Sequence, residues 1–216
     1  MTKKLLRPRG RPRQFDLDQA LATAQALFHA RGYDAVSVAD VTDALDINTP
    51  SFYAAFGNKA GLYARVLERY AQDGAVPLAS LLRADRPVAD CLAAVFEEAA
   101  RRYAADPAAT GCIALEGCRC TDQEARTAAR AARTASEDLV RRYIAARHPP
   151  YAEGLTDYVS TTMAGLSAMA RMGLGPDRLL ATARLAGLAL RDVLPESPAR
   201  RRAHRPTTAK TSTSAP

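Results

Sequence analysis

The sequence predicts an all-α protein, and three observations carry that prediction. Alanine is abundant, aromatic residues make up 6% of the chain and tryptophan is absent. Alanine heads the helix scale, whereas strands favour aromatic and β-branched side chains. Apolar residues recur at three- and four-residue steps through most of the chain, and Gly- or Pro-bearing stretches such as "RGY", "HPPY" and "GLGPD" cut that pattern into helix-sized pieces.

Asp16 is a good N-cap, and Leu17, Ala20, Leu21, Ala24, Leu27 and Phe28 repeat at helical spacing until Gly32. A short second helix is expected after Ser37, with Val38, Val41, Ala44 and Leu45 on one side. A third starts near Asn48, where Pro50 suits the first turn. Asn58 caps a fourth that runs to about Gly74, with Leu62, Val66, Leu67 and Tyr70 inward. Residues 74–87 hold Gly74, Pro77 and Pro87 and form a connection. Helices are then expected at about 87–105, 110–119, 121–148, 151–173 and 177–194. "TDQE" (121–124) has the form of a capping box, Thr121 and Glu124 each satisfying the other's free backbone donor. From Pro195 on, the chain is Pro, Ser, Thr and Arg, a composition that builds no core.

At 48% hydrophobic over 216 residues, the chain has material for one large domain or two small ones. Its net charge is +7, carried at the ends. Residues 1–15 hold six basic side chains and no acidic one, and residues 195–216 hold five basic and one acidic. That leaves 19 of the 30 basic and 22 of the 23 acidic groups between them. Such a pattern excludes a uniform polyanion-binding surface and points to the two termini. No apolar run approaches bilayer length, and no apolar signal core follows the basic start. A cytoplasmic protein with reduced thiols is expected. Cys91, Cys112, Cys118 and Cys120 have neither CxxC nor finger spacing, so no metal or other cofactor is expected.

The stretch "SVADVTDALDINTPSFYAAFGNK" (37–59) reads as two short helices joined by the tight turn "LDIN". Asp46 stands where the chain must bend, and Asp tolerates the left-handed conformation better than most residues. Ile47 fills the gap between the helices. The second helix is small enough to lie in a DNA major groove with its N-terminal side chains at base edges.

Residues 16–63, through "ALFHARGYDAVSVADVTDALDI" and "SFYAAFGNKAGLY", resemble the helix-turn-helix DNA-binding domain of TetR-family transcriptional regulators. The resemblance implies an N-terminal three-helix DNA-binding domain and a C-terminal helical effector-binding and dimerisation domain. The expected division is 1–15 basic arm, 16–74 DNA-binding domain, 75–194 ligand-binding and dimerisation domain, and 195–216 tail. It implies that Thr49, Ser51 and Phe52 lie in the groove, that Tyr53 bonds a phosphate and that Lys59 adds a second phosphate contact. Ser37, Asn48 and Pro50, at the starts of the two helices, complete the set. Asp46 replaces a frequent family Gly. Ala60 and Gly61 stand where the family often has an acidic residue, which weakens the expected start of the fourth helix. Phe56 reads as core.

Ahead of this unit, "RGRPR" resembles an AT-hook, with Arg9, Arg11 and Arg13 suited to a narrow minor groove. The alternative is a charged tail attracted to any phosphate backbone. A homodimer reading a pseudo-palindromic operator is expected, in a four-helix bundle. Its interface is predicted from the stripe Leu155, Tyr158, Val159, Thr162, Met163, Leu166, Met169 and Ala170, with Ala183 and Gly187 one turn apart on the next helix. The other reading of this stripe is core within one subunit.

"ATGCIALEGCRC" (109–120) holds three cysteines. Thr110 is expected to cap the following helix, which places Cys112 in its first turn, where the dipole favours thiolate. The segment resembles that around the sensing cysteine of the electrophile-responsive NemR-type branch, with Cys118 or Cys120 as resolving partner. A Cu(I) site and three structural thiols are the alternatives. The broader expectation is an unknown small-molecule effector held non-covalently among the helices at 87–105, 110–119, 121–148 and 151–173. No HExxH, GxSxG or Gly-rich phosphate loop is present, and the three histidines are far apart, so no enzyme is expected. An architectural DNA binder and an all-helical carrier or enzyme are the rival readings. The implied regulator is a repressor released by a small-molecule or redox signal.

Overall fold

The computed structural model describes residues 16–194. Among them the chain forms α1 (Leu17–Arg31), α2 (Val38–Leu45), α3 (Thr49–Phe56), α4 (Lys59–Asp73), α5 (Leu78–Leu81), α6 (Val88–Tyr103), α7 (Ile113–Gly117), α8 (Gln123–Ala145), α9 (Ala152–Arg171) and α10 (Pro176–Val193). A 3-10 turn, Pro149–Tyr151, joins α8 to α9, and the described residues contain no strand.

Each of the first four helices starts on a side-chain cap. Asp16 accepts from the N–H groups of Asp18 and Gln19, Ser37 from Asp40, Asn48 from Ser51 and Asn58 from Gly61. Such a cap satisfies donors that have no partner inside the helix. Gly32 ends α1 at φ 78°, and Asp46 ends α2 in the left-handed region at φ 52°, as its position in "LDIN" predicts. The expected weakness at the start of α4 is not there. Asn58 Oδ1 accepts from the Gly61 N–H at 2.6 Å. A Cβ on residue 61 would meet the Phe56 carbonyl oxygen at 2.4 Å, so the close approach of α3 and α4 requires glycine.

α4 is the shared wall of the molecule. It packs against α1 on one side and α8 on the other, and buries Leu62, Tyr63, Val66, Leu67 and Tyr70. Beyond it, α6 lies along α10, and α9 packs on α6, α8 and α10. The connection at 74–87 carries the one-turn helix α5, with Leu78 buried.

Two expected caps are corrected. The cap of α8 is Asp122, which accepts from the N–H groups of Glu124 and Ala125 at 2.9 and 3.1 Å, while Thr121 donates its hydroxyl and N–H to Asp34. The capping box at 121–124 therefore does not form, because Asp34 draws Thr121 away. Likewise α7 has no side-chain cap. Cys112 is its N-cap residue rather than a residue of its first turn, and Thr110 lies outside it.

The predicted dimer stripe is also corrected. Leu155, Val159, Leu166, Ala170 and Ala183 are buried in their own subunit, and Tyr158, Thr162 and Met163 are half-buried. Tyr158 donates its hydroxyl to the Ala186 carbonyl at 3.0 Å. Gly187 lies so close to α6 that a Cβ there would come within 2.9 Å of the Ala93 Cβ. The periodic stripe marks the inward faces of α9 and α10, and of the predicted set only Met169 is exposed. The outward apolar residues of these helices are Met169, Met172, Leu185, Leu188 and Val193.

Candidate nucleic-acid interface and effector cavity

The two helices of the 37–59 segment are fixed by short polar contacts. Ser37 and Asp40 cap each other's backbone donors. Arg31 bonds Asp40 at 2.8 Å and the Ala35 carbonyl at 2.6 Å, which ties the end of α1 to the start of α2. The Ser37 bonds, with the Arg31 guanidinium, hold the Asp40 carboxyl well below the usual carboxylate range.

α3 separates an inner from an outer face. Phe52 and Phe56, one turn apart, are buried with ring centroids 5.5 Å apart. Thr49, Pro50, Ser51, Tyr53 and Ala54 are exposed. The expected groove contact by Phe52 is thus overturned: its ring is wholly inside the core. The i, i+4 spacing of two aromatics on an eight-residue helix is the signal that separates them from the reading face. Ala54 joins that face and had not been singled out. Tyr53 is half exposed and stands edge-on to Phe52, on the same outer face as Thr49, Pro50 and Ser51.

Lys59 has a different first task from the one its resemblance implies. Its ammonium donates to the Tyr33 and Val36 carbonyls at 3.1 and 2.9 Å and sits 4.0 Å over the Tyr33 ring. An ammonium has three N–H groups, so one remains for a phosphate. Lys59 clamps the α1–α2 connection onto the start of α4. Arg9, Arg11 and Arg13 lie outside the described residues.

Polar contacts join this unit to the segment 111–124. Tyr33 donates to Asp122 at 2.8 Å, Asn58 donates to Glu124 at 3.1 Å and Tyr63 donates to the Ile113 carbonyl at 2.9 Å. Burial, with the bond to Asp122, pushes the Tyr33 hydroxyl far up, so it stays a donor across the physiological range. These partners lie 50 to 89 residues apart in sequence, and no local pattern announces them.

The same segment faces a cavity of about 110 Å³. Its walls come from α4, α5, α6, α7, α8 and α9 and are mostly apolar, including Leu67, Val76, Leu115 and Met163. Its polar lining includes Arg133, Ser136, Glu137 and Ser160, and Glu137 accepts from Arg133 at 2.9 Å and from Ser160 at 2.7 Å. The wall also holds Cys112, Tyr70 and Tyr103. Both phenols are raised, by burial first and by the neighbouring Cys112 after it. Cys118 and Cys120 do not join them in that wall. Their thiols donate to the Ala114 and Asp122 carbonyls, and burial pushes both upward, away from the thiolate form. Among the described residues no three of His, Cys, Asp and Glu converge to hold a metal.

An α2–turn–α3 unit with an exposed polar N-terminal face, set on an all-helical body, has counterparts among known proteins. Residues 20–66 match the family model described as bacterial regulatory proteins, tetR family. Over 196 residues the chain is 52% identical to the HTH-type transcriptional repressor BdcR of Escherichia coli K12, covering 91% of this chain and all of that one. The chain belongs to the TetR family. It is a DNA-binding transcriptional regulator, not an enzyme, and the carrier reading is set aside. A second relative, the HTH-type transcriptional repressor ComR of the same organism, is 30% identical over 88% of this chain and 94% of its own. The solved structure of CifR, a TetR-family regulator, as a cysteine mutant with 26-bp operator DNA, superposes with a TM-score of 0.75. It is 31% identical and covers 83% of this chain and 99% of that one. Reduced NemR of E. coli shares the fold at a TM-score of 0.68 and 14% identity, over 84% of this chain and 97% of that one. Among the described residues no helix is long and apolar enough to cross a membrane.

Proposed function

We propose that this regulator is a cytoplasmic repressor that binds a pseudo-palindromic operator as a homodimer and leaves it when a small molecule enters the α4–α9 cavity. Residues 16–74 form the reading unit, 75–194 the effector and dimer unit, and the basic ends at 1–15 and 195–216 flank them. The observation that carries the reading is the shared segment 111–124: it lines the cavity through Cys112 and Leu115 and bonds the reading unit through Ile113, Asp122 and Glu124. A ligand that displaces this segment moves α4 and with it α3.

Thr49, Pro50, Ser51 and Ala54 meet base edges in this proposal, Tyr53 bonds a phosphate, and Arg9, Arg11 and Arg13 follow the adjacent minor groove. Ser37 and Asn48 present the two helix N-termini to the backbone, where dipole and free donors favour phosphate. The dimer forms on the outward faces of α9 and α10, where Met172, Leu185, Leu188 and Val193 are exposed together with Ala164 and Gly165. Large exposed apolar side chains beside small ones suit close helix packing. In vitro selection from random duplexes should return a two-fold-related sequence. Leu185→Glu with Leu188→Glu should yield monomers by light scattering and lose that selection. A single half-site from the wild type would refute the dimeric reading.

A second reading of the signal is favoured by the position of Cys112. Its thiol is in the cavity wall beside two phenols, so an electrophile or oxidant that enters meets it directly. Cys118 and Cys120 are poorly placed as resolving thiols, tied as they are to carbonyls. Release of the operator by a quinone or hypochlorite in the wild type, abolished in Cys112→Ser, would select this reading. Equal release in both proteins would exclude it.

A further inference from the structure

His29 lies in the last turn of α1, on the face turned to the effector unit. Its Nε2–H donates to the Gly111 carbonyl at 3.0 Å, and its ring stands edge-on to Tyr70 of α4 with centroids 5.8 Å apart. Its own carbonyl accepts from Arg171 of α9 at 3.4 Å. The residue is therefore held at once by α4, by the strand of chain before α7, and by the end of α9.

Gly111 is the centre of this junction. Its φ is 76°, and a Cβ there would lie 2.9 Å from the Ser167 carbonyl oxygen and 3.1 Å from the Arg171 Cγ. Its N–H donates to the Tyr103 carbonyl at 2.9 Å, and the next N–H, of Cys112, donates to the Ser167 hydroxyl at 2.9 Å. The Gly111–Cys112 segment thus has no slack, and one of its ends is the cavity wall.

Arg171 is short of acceptors. Its Nε and Nη2 are buried without a hydrogen-bond partner, and Glu116 approaches Nε only to 3.6 Å. The titratable or charged groups at this junction are Arg171 from α9, with Glu116 of α7 paired to it, Asp106 from the connection after α6, and Tyr70 from α4. Tyr70 is neutral, and the Asp106 attraction is the weakest influence on the ring.

We propose that His29 is a proton-operated latch: the neutral ring keeps the reading unit seated on the effector unit, and the imidazolium loosens that seat and lowers operator affinity. The Gly111 bond does not act as the switch, because Nε2–H donates to that carbonyl in either protonation state. The switch is the added charge. It lies in a half-buried site next to the Arg171 guanidinium, whose carboxylate partner Glu116 stands 3.6 Å away without a hydrogen bond, so the two cations repel and the end of α1 parts from the end of α9. Burial, followed by Arg171, holds the imidazole below its ordinary range against the opposing Gly111 bond. The seated state is thus favoured at neutral pH and lost as pH falls into and below that range. A two-fold protein reads two half-sites at one fixed spacing, so a loosened seat costs affinity without touching α3.

The test needs no effector. Binding of a duplex obtained by in vitro selection is followed by fluorescence anisotropy from pH 7.5 to 5.5, at constant salt, for the wild type and His29→Gln. Gln keeps an amide N–H for the Gly111 carbonyl and does not titrate. The wild type should lose about three- to tenfold more affinity than His29→Gln, a factor set by about a quarter to half a unit of pKa difference between free and bound protein at each of the dimer's two His29 residues. Parallel curves, or a wild type that gains relative to His29→Gln, would overturn the latch. Should the variant misfold, the wild-type imidazole signals are titrated by NMR with and without the duplex, His29 being assigned by elimination with His148→Gln and His204→Gln. A His29 midpoint that falls on DNA binding supports the latch, and an unchanged or raised one refutes it.

Discussion

α1–α4 and the helices that follow begin in different ways. All of α1, α2, α3 and α4 start on a side-chain cap, from Asp16, Ser37, Asn48 and Asn58. Of α5–α10, only α8 does, through Asp122. In α1–α4 the helix starts are written locally, so short helices such as α2 and α3 have their boundaries set by neighbouring residues, while buried Val41 and Phe52 hold them in place. The helices from α5 on are held by long-range packing, above all α6 against α10. The capped α8 lies where the two sets of helices meet, packed on α4.

Breaking the reading unit at its core should have the largest effect. Phe52→Ala removes a fully buried ring and should cost about 3–5 kcal/mol. Hydrogen exchange should then show α1–α3 opening while α6 and α10 stay protected; uniform deprotection of all helices would erase the contrast. Next come the caps. Asn48→Ala or Asn58→Ala should each lower stability by about 1 kcal/mol in urea titrations, whereas Gly175→Ala, at a helix start without a side-chain cap, should cost less. Equal losses at all three would mean that caps do not distinguish the two regions.

A smaller effect is expected at the junction. The Ala125 N–H, followed by the Tyr33 hydroxyl, holds the Asp122 carboxyl below its ordinary range. Its folded pKa is depressed, so its stabilisation is present above the ordinary carboxylate range and is lost as pH falls through it. Asp122→Asn should therefore be less stable than the wild type at pH 7, with the gap narrowing toward pH 3 in thermal melts. A gap that widens on acidification would contradict this assignment. Least should change with Arg101→Ala. Its pairs with Glu97 and Glu98 are exposed, and exposed pairs contribute about 0.5 kcal/mol or less.

Much of the reading unit is determined by sequence alone. Asp16, Ser37, Asn48 and Asn58 announce the helix starts, Asp46 the left-handed turn and Gly32 the stop, because capping and turn chemistry act over a few residues. The same is true of the all-α class, which follows from composition and periodicity. Where two distant segments compete, local pattern fails. Thr121 has the form of a cap residue and is taken by Asp34. Lys59 has the form of a phosphate ligand, and no local pattern announces that two of its three N–H groups go to the Tyr33 and Val36 carbonyls. The stripe from Leu155 to Ala170 shows that a helix has an apolar face, but not that α6 and α8, rather than a second subunit, cover it. Periodicity gives the direction of a face in a helix's own frame, and only the tertiary packing decides what lies opposite it. The junction at His29, Gly111 and Arg171 is the extreme case: its members are separated by 82 and 142 residues, and their charges meet only once the chain has folded.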